Sequence, residues 1–215
     1  MFVKYRMTAN PFTVGPRVPI PEAAELMAGY GVRHLPVVDE GQVIGVISKN
    51  DIAAAGPSQA TTLAASEATY LLSKLKVYRV MSKPALTISP DALLEEAAVI
   101  MRDEKIEMLP VVDDGRLVGV ITESDILDSF IDILGFREHG TRLTIEAKDE
   151  PGVLEKMSGI TAAHDANITH LAVHRGSGEY SVVIVGLNTL NTDEIEADLA
   201  AAGMKVVAKL TNVHN

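Results

Sequence analysis

The sequence predicts a mixed α+β chain: two copies of one supersecondary unit buried against each other, followed by a smaller α+β domain. One observation is a repeat. Leu35-Pro36-Val37-Val38-Asp39 and Gly45-Val46-Ile47-Ser48-Lys49-Asn50-Asp51 return as Leu109-Pro110-Val111-Val112-Asp113 and Gly119-Val120-Ile121-Thr122-Glu123-Ser124-Asp125, always 74 residues apart. Met7/Met81, Thr13/Thr87 and Met27/Met101 hold the same register, as expected of two stacked units. The second observation is that helical and strand periodicities alternate within each copy. The third is that the pattern changes after Gly135. The expected divisions are 1–66 and 67–135 for the two copies and 140–215 for the last domain.

Each copy reads as a strand, an amphipathic helix, two strands and a second helix. In the second copy Ser89 is placed to cap a helix with Pro90 at its first position, and Leu93, Leu94, Ala97, Ala98 and Met101 share one face. Pro21 opens the equivalent helix in the first copy. Strands around Val37-Val38 and Val111-Val112 meet strands at Val43 to Ile47 and Leu117 to Ile121 through Asp39-Glu40-Gly41 and Asp113-Asp114-Gly115, which predicts β-hairpins. Between the copies, Ala53 to Ala65 reads as a loop and Glu67 to Tyr78 as a connecting helix. The basic end of that helix, Lys74, Lys76 and Arg79, reads as a solvated face.

In the last domain Arg142 to Ala147 alternates as a strand, and Val153, Leu154, Met157 and Ile160 mark a helix. Ile168 to His174 and Tyr180 to Leu187 are strands around a Gly176-Ser177-Gly178 turn. Asn191 or Thr192 caps a helix bearing Ile195, Leu199 and Ala202, Gly203 ends it, and Lys205 to Leu210 is a last strand. The order βαββαβ is the ferredoxin-like split βαβ arrangement.

Composition narrows the function. The chain has 215 residues, 47% of them hydrophobic, enough for real cores. It has no cysteine, hence no disulfide framework, thiolate nucleophile or cysteine zinc site, and a reducing cytoplasm is the expected setting. No leader pattern and no run of roughly 18 apolar residues is present, so no membrane partner is expected. A formal charge of -10 disfavours nucleic acid, whose binding rests on clustered Lys and Arg.

The repeated Gly-x-x-Ser/Thr-x-x-Asp carries the chemistry. Gly45 and Gly119 would let a ligand approach the backbone. Ser48 and Thr122 would set a hydroxyl beside free amides of a helix start, where the dipole favours phosphate. Asp51 and Asp125 could then take both hydroxyls of a ribose. A single Ser/Thr followed by Asp is more often a plain helix cap, but two in register beside a repeated Leu-Pro-Val-Val-Asp favour a nucleoside phosphate. The pattern resembles a pair of CBS motifs, a Bateman module, over about residues 1 to 135. That resemblance implies a pseudo-two-fold pair with adenosine ligands (AMP, ADP, ATP or S-adenosylmethionine) in two clefts. It puts Ser48 and Thr122 at phosphate, Asp51 and Asp125 at ribose, and the backbone of Leu35 and Leu109, each followed by proline (Pro36, Pro110), at adenine. Thr13-Val14 and Thr87-Ile88 would form pocket walls.

Arg33, His34 and Lys49 stand around the first motif, and Glu107, Met108 and Glu123 at the matching places of the second. Coulomb attraction predicts that the first site prefers phosphorylated nucleotides and the second binds weakly or takes a less anionic adenosine compound.

Asp149-Glu150-Pro151-Gly152-Val153-Leu154 and Ala166-Asn167-Ile168 resemble an ACT domain. The resemblance implies side-by-side pairing of sheets and an effector such as an amino acid held near Asp149, Pro151, Gly152, Val153, Asn167 and Ile168. Pro151 suits a first helical position, and Gly152 leaves room for a carboxylate. Alternatively, Asp149 caps the helix and the domain only dimerises. His170 and His174, four strand residues or roughly 13 Å apart, cannot easily share one ion, so no metal is expected.

Two CBS motifs followed by an ACT domain resemble the AcuB-like acetoin-utilisation proteins. The resemblance implies a non-enzymatic, homodimeric regulator that senses adenine nucleotide, needs no cofactor and acts on a separate enzyme, in acetoin utilisation by the family's name. The alternatives are a structural dimeric adaptor with unoccupied pockets and an enzyme, though no nucleophile-base-orienter set accompanies the motifs.

Overall fold

The computed structural model describes residues 1–56, 72–175 and 178–213. Most of the expected interdomain loop and connecting helix, and the Gly176-Ser177 turn, lie outside the described residues. The chain divides into two units, Met1–Leu127 and Asp128–Asn215.

In the first unit each copy builds a helix, a two-stranded hairpin and a second helix. The first has Ile20–Gly29 (α1), His34–Asp39 (β2), Gln42–Ser48 (β3) and Lys49–Ala55 (α2), after a short strand Thr8–Ala9 (β1). The second has Leu94–Glu104 (α4), Met108–Asp113 (β4), Arg116–Thr122 (β5) and the start of Glu123–Ile133 (α5), after a one-turn helix Val77–Val80 (α3). The hairpin turns follow from their sequence: Glu40, Gly41, Asp114 and Gly115 all have positive φ, as a two-residue type I′ connection requires. The two hairpins pair in identical register, each with a shift between the two valines of its Pro-Val-Val.

Two expectations change. The first strand of each copy shrinks to one parallel bridge, Val14 to Val37 and Ile88 to Val111. The helix expected from Ser89 begins at Leu94 instead. Ser89 Oγ accepts from the Asp91 amide at 3.2 Å, so Ser89-Pro90 forms a turn before the helix.

The leading segments of the copies are exchanged. Val3 is fully buried in the second copy's core, with Met7 packed against it, and β1 pairs with β5. Conversely, Val77 and Met81 are buried in the first copy's core, and Ser82 bridges to Val46 in β3. Hydrophobic burial therefore ties each copy to the other's lead-in.

The second unit runs Gly140–Lys148 (β6), Val153–Ala163 (α6), Ile168–Arg175 (β7), Tyr180–Leu187 (β8), Asp193–Ala201 (α7) and Lys205–Asn212 (β9), in the βαββαβ order. Its antiparallel sheet has the order β7-β8-β6-β9. One sheet face supplies Leu143, Ile145, Val183 and Val185 to a core closed by Met157 of α6 and Leu199 of α7. The alternation of β6 is the one the sequence predicted.

Candidate functional site

The repeated Ser/Thr-x-x-Asp is a closed capping box in both copies. Asp51 Oδ2 accepts from the Ser48 amide (2.8 Å) and hydroxyl (2.7 Å), while Ser48 Oγ accepts from the Asp51 amide at 3.0 Å. Asp125 and Thr122 repeat it at 2.8, 2.7 and 3.3 Å. The plain capping reading is thus true of both motifs. In each box one carboxylate oxygen, Oδ2, is committed to the cap.

The motif glycines have another role than expected. A Cβ on Gly45 would stand 2.7 Å from Met81 Sδ and 2.8 Å from the Ser82 carbonyl, and one on Gly119 would stand 2.7 Å from Met7 Sδ and 3.0 Å from the Thr8 carbonyl. They admit the other copy's lead-in, not a ligand.

That exchange builds a cavity of about 380 Å³ between the copies. The first copy contributes His34, Val46, Ser48, Asn50 and Asp51; the second contributes Ser82 to Leu86 and Glu104 to Met108. The remaining residues expected to contact nucleotide in the two clefts do not line this cavity. Val14 and Ile88 are core residues, and Thr13 and Thr87 are exposed. The Leu35 and Leu109 side chains are buried, and the carbonyls of Pro36 and Pro110 accept from Val14 and Ile88 amides, each at 3.0 Å. Lys49 is exposed and off the wall; its amide donates to the Arg33 carbonyl at 2.9 Å.

The charge assignment also changes. Arg33 does not line this cavity, whereas Glu107 and Met108, read from sequence as neighbours of the second motif, do. The cations on the wall are Lys83 and Lys105. Their 74-residue counterparts are Ala9 and Gly31, so repeat matching passes over them; the only signal was that departure from symmetry. Lys105 closes α4 in the left-handed region (φ 56°), where Gly31 stands at φ 68° after α1.

In the C-terminal unit, Gly152 (φ 89°) is the N-cap of α6 and the helix starts at Val153, so Pro151 precedes it. Asp149 does not cap: its Oδ2 lies 3.2 Å from Arg175 Nε on β7. Asn167 is held through its backbone, its amide donating to Asn188 Oδ1 (2.8 Å) and its carbonyl accepting from the Asn188 amide (3.1 Å), just before Ile168 opens β7. Among the described residues no cluster of three or more His, Cys, Asp or Glu could hold a metal, and no helix is long and apolar enough to cross a membrane.

Against this geometry, the family model for the CBS domain matches residues 3–58 and 77–132, one per copy, each starting in the exchanged lead-in. The chain belongs to the CBS-domain family. A TTHA0829-like ACT domain matches residues 139–209. The CBS domain-containing protein YhcV of Bacillus subtilis is 33% identical over 124 residues, 58% of this chain and 81% of YhcV. Inosine-5'-monophosphate dehydrogenase of Aquifex aeolicus is 29% identical over 201 residues, 92% of this chain; the match spans 38% of the dehydrogenase. Among solved structures, an acetoin utilization protein (AcuB) from Vibrio cholerae is 31% identical with TM-score 0.52, covering 63% of this chain and 94% of that one. The CBS pair of protein MJ0100, in complex with 5-methylthioadenosine and S-adenosyl-L-methionine, is 30% identical with TM-score 0.51, covering 60% and 95%.

Within this CBS pair, His34 joins the two copies. Its Nε2 is 3.6 Å from Glu107 Oε2. Burial pushes its pKa below the ordinary 6.5 more than Glu107 raises it, so near neutral pH the contact is a neutral imidazole facing a carboxylate.

Proposed function

We propose that the chain is a regulatory sensor whose first cleft, at Ser48 and Asp51, binds an adenosine compound: AMP, ADP, ATP or S-adenosylmethionine. The observation that carries this is the cavity of about 380 Å³, with the cap of α2 on one side and Lys83 and Lys105 on the other. Its size falls in the about 300–1,000 Å³ range of small-molecule sites. The free carboxylate oxygen of Asp51 takes the ribose, and the two lysines attract phosphate. Solved CBS pairs of about 30% identity that hold AMP or S-adenosylmethionine support the ligand class.

The matched CBS and ACT families span most of the chain, and the regulatory reading rests on them: occupancy biases the arrangement of the copies by its differential affinity, and a separate enzyme responds. The ACT domain offers the Asp149 to Val153 and Asn167-Ile168 loops to an amino acid and its edge strand β7 to a second copy. Leu171 and Val173 face the core side with Val185 and Val183 but are 47% and 43% exposed, which supports a homodimer continuing the sheet and core.

Isothermal titration of the full chain with AMP, ADP, ATP and S-adenosylmethionine tests the reading, beside Asp51→Ala and Asp125→Ala. Saturable binding lost in Asp51→Ala is expected. Silence with all four ligands would leave an adaptor with empty pockets, and loss only in Asp125→Ala would move the working site to the second cleft.

A further inference from the structure

Phe12 and Tyr30 stack face to face, with centroids 3.6 Å apart and planes 3° from parallel. The pair acquires meaning from the repeat. Counting 74 residues on, Phe12 corresponds to Leu86 and Tyr30 to Glu104, and both of these line the open first cavity.

The backbone supports this correspondence at each point where it can be checked. Thr8 pairs with Val120 as Ser82 pairs with Val46. Met7 lies against Gly119 as Met81 lies against Gly45. Glu123 donates to the Glu107 carbonyl (3.1 Å) as Lys49 donates to that of Arg33 (2.9 Å). The lead-in that carries Phe12 therefore runs past Thr122 and Asp125 as Ser82 to Leu86 runs past Ser48 and Asp51.

From this we infer that Phe12 and Tyr30 form an aromatic plug in the second cleft, and that this plug makes the two adenosine sites unequal. Two rings in contact leave no gap for a base between them. The stack must part before a nucleotide enters, at the expense of an aromatic pair. That lowers second-site affinity about tenfold relative to an open cleft. In the first cleft Leu86 and Glu104 cannot stack, and the space stays open. The inference rests on the adenosine reading for the ligand, and on the repeat geometry for the asymmetry. It differs from the charge argument made from sequence, because the controlling feature is steric.

The test is AMP titration of the full chain carrying Asp51→Ala, which silences the first site, with and without Phe12→Leu/Tyr30→Ala. The aromatic double variant is expected to raise second-site AMP affinity about tenfold, and adding Asp125→Ala is expected to abolish the gain. Both rings are about half exposed, and a thermal melt checks that the variants fold. An unchanged affinity overturns the plug; a fall overturns it too, by showing that the rings hold the base. Failure of the adenosine reading looks different. If the wild type binds no AMP but the aromatic variant does, through Asp125, the plug stands and the first-site assignment falls. If no variant binds AMP, both fall.

Discussion

His34 Nε2 and Glu107 Oε2 approach to 3.6 Å across the two copies of the repeat. Each comes from the corner where a helix hands over to the first strand of a hairpin, so any relative shift of the copies changes this distance. The charged groups that act on His34 are Glu107, Asp51 and Glu123, which favour its protonation, and Arg33, which opposes it; burial outweighs them all.

This makes stability fall on mild acidification. The folded pKa of His34 lies below the ordinary 6.5, so as pH drops through about 6.5 the unfolded chain takes up a proton that the folded chain resists. Above that pH the group is neutral in both states and contributes no slope. Thermal melts between about pH 8 and pH 5.5 are expected to show a steeper loss for wild type than for His34→Gln. Superimposable profiles would rule out His34 as the origin.

Gly45→Ala and Gly119→Ala are expected to destabilise the chain by about 1–3 kcal/mol each, the usual range for overpacking. The new methyl group meets a flexible methionine thioether and also a fixed carbonyl, of Ser82 or Thr8. Chemical denaturation checks this. A companion Met81→Ala should not restore Gly45→Ala fully, because the Ser82 carbonyl remains in the way.

Ser48→Ala and Thr122→Ala each remove the acceptor for an α-helix amide and the hydroxyl held by Oδ2 of the following aspartate. A loss of about 1 kcal/mol per cap is expected, measured as a shift in denaturation midpoint. If Ser48→Ala costs nothing in stability yet weakens AMP, the serine acts at the ligand alone.

Lys105→Gly separates affinity from stability. Glycine relieves a left-handed residue but loosens the unfolded chain, and the two effects, each about 1 kcal/mol, offset each other. AMP affinity is expected to fall on the order of tenfold from the lost charge, with the melting temperature unchanged. Lys49→Ala, off the cavity wall, should leave affinity within about twofold. The reverse ranking would restore the charge assignment read from sequence.

Much was legible in the chain before any coordinates. The 74-residue register identified two copies, Asp39-Glu40-Gly41 and Asp113-Asp114-Gly115 marked hairpin turns, and the alternation of Leu143, Ile145 and Ala147 in β6 located the C-terminal core face. These are local properties, set by backbone sterics and by the period of burial. The tertiary structure decided what faces what. Gly45 reads as a ligand approach until Met81 is seen against it, and Lys49 reads as a phosphate partner until Lys83 and Lys105 occupy the wall instead. The physical reason is the exchange of lead-in segments. Val3 and Val77 are fully buried in the partner copy's core. Each cleft is therefore assembled from residues far apart in the chain, which a repeat read one copy at a time does not reveal.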